Sequence, residues 1–283
     1  MSSLQKLPHR LVVGTNAFNQ GLTNLSTDLR LLFHGSENSL VLRQKNLDGF
    51  QMIVRAEEEV GRTIYYKGVF EDAETLFFRS LISDSSVCFD VGANIGYYSL
   101  LFASLNRSGS VHSFEPVPLN YHLLSINALL NGFSNLHANL CAIAEKEGNA
   151  ELTISTDSAY SSLMHAGRKP VASKIRATLT TIDAYCSNHD ISRIDVLKVD
   201  VEGAEGNVLS GARQILQDPQ RRPRTVMLEL YEPMLALFGS SAAEIFRKME
   251  AFGYRPFVAS HAGLVPFRWE HLKDFYNVVF VNG

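Results

Sequence analysis

The stretch Asp90-Val-Gly-Ala-Asn-Ile-Gly96 lies between an apolar run, Val87-Cys-Phe-Asp-Val91, and the segment Tyr97-Tyr-Ser-Leu-Leu-Phe102. The run has the length and composition of a buried strand, and Ile95 to Leu105 reads as a helix. Glycines in the turn between them let the backbone reverse sharply and let a ligand come close. The helix that follows aims unpaired N–H groups and a partial positive charge back at the turn. A strand–turn–helix unit of this kind can hold a nucleotide-like ligand. A dinucleotide fingerprint would read G-x-G-x-x-G, whereas here the order is Asp-x-Gly-x-Asn-x-Gly. The leading acid suits a ligand with positive charge near the turn and would repel a pyrophosphate. That argues against a NAD-dependent oxidoreductase.

Working outward, strands and helices alternate. Ser110-Val-His-Ser-Phe114 predicts a second strand, followed by a helix from Pro118 to Asn131 with Leu119, Leu123, Ile126 and Leu130 on one stripe. Asn135 to Ile143 predicts a third strand. Ala150 to Ser155 and Lys174 to Leu179 alternate with period two and predict antiparallel additions, joined by the polar stretch from Ser155 to Ser173. Ile194 to Val199 and Thr225 to Leu230 read as the fourth and fifth core strands, with a helix from Ala204 to Gln217 between them. Ile245, Met249 and Phe252 mark another helix, and Tyr254 to Ala259 and Asn277 to Val281 the last strands. This alternation predicts an α/β, Rossmann-like fold with a mostly parallel sheet covered on both faces. Residues 83–283 form that domain. Residues 1–82 read as a smaller extension that either covers the ligand site or extends a sheet edge, with Phe50 to Val54 and Thr63 to Tyr66 as short strands and a helix from Glu71 to Leu81.

Hydrophobic content of 46% and charged content of 19% over 283 residues are those of an ordinary globular chain. A net charge of −3 gives no reason to expect nucleic acid as a partner, and Arg221-Arg-Pro-Arg224 reads as a solvated loop. Cys88, Cys141 and Cys186 lack metal-ligand spacing, which favours a reducing compartment. Leu11-Val-Val13 is too short for a signal-peptide core, and no apolar stretch approaches the ~18–20 residues of a membrane span. A cytoplasmic location is expected.

Two further constellations carry chemistry. Glu115, in Phe114-Glu-Pro116 at the end of the second strand, can accept both hydroxyls of a ribose. Asp200, Glu202 and Glu205 cluster where the fourth core strand gives way to a helix, at the sheet edge where α/β folds bind ligands. Three acids exceed what capping that helix needs.

Taken in order, these segments resemble the FkbM-type methyltransferases, a branch of the class I S-adenosylmethionine-dependent enzymes. The matching runs are Phe89-Asp-Val-Gly-Ala-Asn-Ile-Gly-Tyr97, Phe114-Glu-Pro116, Thr181-Ile-Asp183, Leu197-Lys-Val-Asp-Val-Glu-Gly-Ala-Glu205 and Val208-Leu-Ser-Gly-Ala212. Gly68-Val-Phe-Glu71 is similar to the Gly-x-Tyr-Glu element that often precedes them, with Phe70 for Tyr. The likeness runs from about Lys67 to Glu229.

The resemblance implies a seven-stranded sheet with a C-terminal antiparallel hairpin and S-adenosylmethionine as cofactor. It implies that Asp90, Gly92, Asn94 and Gly96 meet the methionine portion, Glu115 and Pro116 the ribose, and Cys141 and Ala142 the adenine. Commonly such enzymes methylate a hydroxyl of a sugar or secondary-metabolite scaffold, and an alcohol acceptor calls for a general base. Asp200 and Glu202 are the leading candidates, with His165 a further one. Glu229 either lines the acceptor site or pairs with Lys198. The acidic residues suit a divalent metal, which stays unassigned. An N-methyltransferase and a noncatalytic binding module of the same fold are the alternatives.

Overall fold

Apolar runs become the parallel strands at the centre of the fold in the computed structural model, which describes residues 40–43, 49–164, 167–269 and 276–283. In chain order the strands are β1 (Leu40–Arg43), β2 (Met52–Arg55), β3 (Val87–Val91), β4 (Ser110–Phe114), β5 (Leu136–Asn139), β6 (Ala142–Ile143) and β7 (Gly148–Ser155). They continue as β8 (Val171–Thr180), β9 (Val196–Val199), β10 (Thr225–Leu230), β11 (Tyr254–Ser260), β12 (Gly263–Pro266) and β13 (Tyr276–Asn282). The helices are α1 (Glu59–Lys67), α2 (Asp72–Leu81), α3 (Tyr97–Leu105), α4 (Pro118–Leu130) and α5 (Ile182–Asn188). After them come α6 (Glu205–Ser210), α7 (Arg213–Gln217), α8 (Glu232–Leu237) and α9 (Ala242–Ala251).

The main sheet runs β12-β11-β13-β10-β9-β3-β4-β5. Strands β10, β9, β3, β4 and β5 are mutually parallel, and β13 lies antiparallel to both β10 and β11. The expected α/β class and C-terminal antiparallel hairpin are both present. The sheet has eight strands rather than seven, because β12 folds back on β11 through a turn in which Ser260 Oγ accepts from the Ala262 N–H. Register matters for the site. Asp90 pairs with Lys198 across β3 and β9, and Glu229 with Asn277 across β10 and β13. Leu197, Val199, Leu228 and Phe280 lie in the buried core that supports these strands.

Three expectations need correction. Thr63 to Tyr66 is part of helix α1 rather than a strand. Its β-branched and aromatic residues favour strands locally, but Gly61 and Ile64 turn one buried face toward the preceding corner. A Cβ on Gly61 would lie 2.2 Å from the Arg55 carbonyl oxygen, so glycine lets the helix close down there, and Gly68 ends it in the left-handed region. The third strand stops at Asn139. The chain then turns at Leu140, which is 45% exposed, and Ala142–Ile143 joins a second, three-stranded sheet with β8 and β7. The helix expected from Ala204 to Gln217 is broken into α6 and α7. Gly211 sits where a Cβ would meet the Ala144 carbonyl at 2.1 Å, its carbonyl accepts from the Asp183 N–H, and Asp183's carboxylate caps Gln214 and Ile215. The Thr181-Ile-Asp183 run thus does structural work at a helix junction.

The segment before β3 docks through asparagines. Asn127 on α4 accepts from the Ile53 N–H and donates to the Ile53 and Ile95 carbonyls, and Asn131 one turn on does the same for Gln51. These side chains satisfy the edge of β2 as a neighbouring strand would.

Candidate active site

The turn after β3 forms because its backbone demands it. Gly92 takes φ 77° and Gly96 φ 93°, and Asn94, tolerant of the left-handed region, takes φ 50°. A Cβ on Gly92 would stand 1.7 Å from the Asp200 carbonyl oxygen, so the turn can lie against β9 only as glycine. Both Gly92 and Ala93 N–H groups bond the Phe114 carbonyl, which ties the turn to the end of β4. Gly96 starts α3 and packs where a Cβ would strike Leu124.

This turn borders a cavity of about 390 Å³, within the size range of small-molecule sites. Gly92, Asn94, Glu115, Pro116, Ala142, Asp200, Glu202 and Glu229 all line it. Of the ten cofactor and base residues anticipated from sequence that lie among the described residues, seven line it, and Asp90, Gly96 and Cys141 do not. Glu115 is buried. Its carboxylate accepts from the Asn94 N–H at 2.8 Å and the Val117 N–H at 2.9 Å, and burial pushes it up to about 7 despite these bonds. A carboxylate has about four lone-pair sites, so two backbone bonds and one from the Asn120 side chain still leave room for a hydroxyl donor. Apolar Phe114, Val117, Ala142, Ile143 and Leu152 form the wall beyond it. Cys141 packs against the core, and Ile143 stands at the cavity beside Ala142.

Asp90 stands behind the wall. It is 0% exposed, accepts from Ser99 Oγ at 2.5 Å, and lies 3.4 Å from the Lys198 ammonium. Lys198, 3% exposed, also reaches Asp200 at 3.2 Å and donates to the Gly92 carbonyl at 3.2 Å. Burial works against its charge, but Asp200, Asp90 and Glu71 outweigh that and hold it well above the usual lysine value. Lysine in the middle of an apolar strand was the sequence signal for this ion cluster. Glu229 does not pair with Lys198.

At the ends of β9 and β10, carboxylate oxygens of Asp200, Glu202 and Glu229 come within 4.8 Å of one another. Burial, then Asp200's charge, pushes Glu202 up to about 8, against the pull of Arg168, which donates to it at 2.5 Å. Burial and Asp200 likewise drive Glu229 well above the carboxylate range. Glu202 holds φ 57°, an uncommon conformation for a residue with a side chain. These three are hard oxygen donors of the kind a divalent cation takes. Lys198 and Arg168 already supply positive charge beside two of them, and a metal stays unassigned. Glu205 is a buried cap, accepting from the Val201 and Gly203 N–H groups. His165 lies outside the described residues.

Several lining residues were missed from sequence. Tyr160 and Arg168 come from the Ser-rich stretch, with the Arg168 guanidinium 4.2 Å from the Tyr160 ring centroid. Glu71 and Tyr98 also face the space. Of these, Glu71 lay in a quoted family motif and Tyr98 in the segment that follows the glycine turn.

Compared with known proteins, residues 90–256 match the Methyltransferase FkbM domain. The chain belongs to the FkbM methyltransferase family. Among its relatives, 31-O-demethyl-FK506 methyltransferase FkbM of Streptomyces tacrolimicus is 28% identical over 175 residues, covering 52% of this chain and 66% of that protein, just under two thirds. Methyltransferase sdnD of Sordaria araneosa is 27% identical over 197 residues, 59% of this chain and 74% of that one. Among solved structures, a precorrin-6y C5,15-methyltransferase from Geobacter metallireducens overlaps with TM-score 0.45 at 12% identity, covering 81% of this chain and 96% of that one. A SAM-dependent methyltransferase from Aquifex aeolicus gives 0.41 at 11%, covering 75% and 90%. S-adenosylmethionine is the cofactor that the resemblance to this family implies. The cavity fits it: an apolar wall suits a base, Glu115 suits sugar hydroxyls, and an excess of carboxylates over ammonium and guanidinium groups suits a cation.

Proposed function

We propose that this FkbM methyltransferase is an O-methyltransferase acting on a hydroxyl of a sugar or secondary-metabolite scaffold. The observation that carries the reading is the gathering of Asp200, Glu202 and Glu229 at the cavity, beside the glycine turn. S-adenosylmethionine supplies a methyl group already activated on a sulfonium, so the protein's task is to position the acceptor and take its proton. Glu202, pushed up to about 8 by burial, retains a proton near neutral pH and serves as a hydrogen-bond donor to an acceptor, and burial pushes Glu229 in the same direction. The role of base falls to Asp200, which faces both the cavity and the Lys198 ammonium. Glu115 and Pro116 serve the ribose, Gly92, Asn94 and Gly96 shape the turn under the methionine portion, and Ala142 borders the adenine. Asp90 supports that turn through Lys198 and Ser99. Tyr160, Arg168 and the preceding segment that bears Glu59 and Phe70 enclose the acceptor. The relative from Streptomyces carries an O-demethyl substrate in its name, which supports oxygen as the atom methylated. The cysteines of the described residues are free thiols, in keeping with a reducing, cytoplasmic setting, and no described helix is long and apolar enough to cross a membrane.

Labelled S-adenosylmethionine incubated with a panel of hydroxylated and aminated metabolites should transfer label to hydroxyl-bearing members. Asp200→Asn should leave calorimetric affinity for S-adenosylmethionine intact and lower kcat by roughly 10²–10⁴-fold. Label on amines alone, or full turnover in that variant, overturns the reading.

A further inference from the structure

Glu71 is strained. It holds φ 44° and ψ 70°, a conformation that side chains other than Asn and Asp rarely adopt, just before α2. Strain of this kind persists where the surroundings over-determine it, and it concentrates at ligand sites. Here the surroundings do so with hydrogen bonds. Tyr98 Oη donates to Glu71 Oε2 at 2.6 Å, and Asn277 Nδ2 donates to Oε1 at 2.9 Å. Both donors are neutral, so the carboxylate is fixed in place without a counter-charge in hydrogen-bond contact from either. Glu71 lines the cavity, and two donors leave its carboxylate with capacity for a further partner.

Where it stands is informative. Tyr98 belongs to the first turn of α3, directly after the glycine turn, and Asn277 pairs with Glu229 on β10. Glu71 therefore lies on the β9–β10 side of the turn, whereas Glu115 and the apolar wall of Ala142, Ile143 and Leu152 lie on the β4 side. A nucleoside held by Glu115 and that wall would have Gly92 and then Glu71 on its other side. Asp90, the acid the turn motif itself offers, is sealed behind the wall with Ser99 and Lys198.

Resting on the S-adenosylmethionine reading above, we infer that Glu71 is the anion that recognises the ammonium of the cofactor's amino-acid end. Burial pushes Glu71 up to about 7, and a cation beside the carboxylate favours its charged form.

The test is calorimetry on the full chain and Glu71→Gln with three probes: S-adenosylmethionine, S-adenosylhomocysteine and 5′-methylthioadenosine. The first two carry the ammonium, and only the first carries the sulfonium. The last has neither. Expected is a roughly ten- to hundredfold loss for S-adenosylmethionine and S-adenosylhomocysteine alike, with 5′-methylthioadenosine unchanged. Glu71→Gly, which accepts the strained backbone freely, should show the same pattern with the fold retained by circular dichroism. Equal loss for all three probes, loss for S-adenosylmethionine alone, or no loss overturns the inference while leaving the cofactor reading intact. A wild-type chain that binds none of the three overturns both.

Discussion

Lys198 shows how much one buried side chain can decide. It holds Asp90 on one side and Asp200 on the other, from a strand whose neighbours are apolar. Breaking a buried pair costs more than the pair contributes, because a desolvated charge is left behind. Lys198→Met should therefore lower unfolding free energy by about 3–5 kcal/mol in urea titrations, with the buried Asp90 carboxylate stranded. A loss below about 1 kcal/mol would show that water reaches the cluster and screens it. The sequence marked Asp90 and Asp200 but not the ion that joins them, since their meeting depends on the register of β3 against β9.

Between elements, the roof of the cavity is a latch. Glu58, at the start of α1, accepts from the Ser158 N–H at 3.2 Å and from its Oγ at 2.6 Å. Next to it, Asp157 accepts from the Glu59 N–H at 3.1 Å, and Tyr160 Oη donates to Glu59 at 2.5 Å. Ser158→Ala removes a donor from a buried carboxylate and should cost about 1–3 kcal/mol, measured as a lower urea midpoint at unchanged slope. A midpoint that does not move would mean the latch contributes nothing net. Of this roof, the polar stretch from Ser155 to Ser173 was legible. Its construction was not, because the partners lie far apart in the chain and Thr63 to Tyr66 favours a strand until Gly61 packs against Arg55.

Across the whole molecule, burial of acids sets a pH dependence. Glu71, Glu115 and Glu205 are pushed up to about 7 and Glu202 to about 8, each by burial first, from 4.5 in an unfolded chain. Between these values the folded protein binds more protons than the unfolded one, so stability falls as pH rises. For these groups it is fully present below about pH 4.5 and is lost as pH climbs through about 7 to 8. The urea midpoint of the ligand-free protein should accordingly drop from pH 5 to pH 8. A midpoint that rises over that range would mean these carboxyls ionise without penalty.

The sequence by itself determined the strand–turn–helix unit at Asp90–Gly96, the alternating order of strands and helices, and the family. Each of these is local: a glycine's φ, an apolar period, a run of motif residues. Only the tertiary structure decided which acids meet the cavity. It sealed Asp90 against Ser99 and Lys198, spent Glu205 on a cap, and brought Glu71 across from before α2 to face the space. The physical reason is desolvation. What an acid does depends on whether the fold surrounds it with donors, a cation or an open cavity, and those neighbours come from distant parts of the chain.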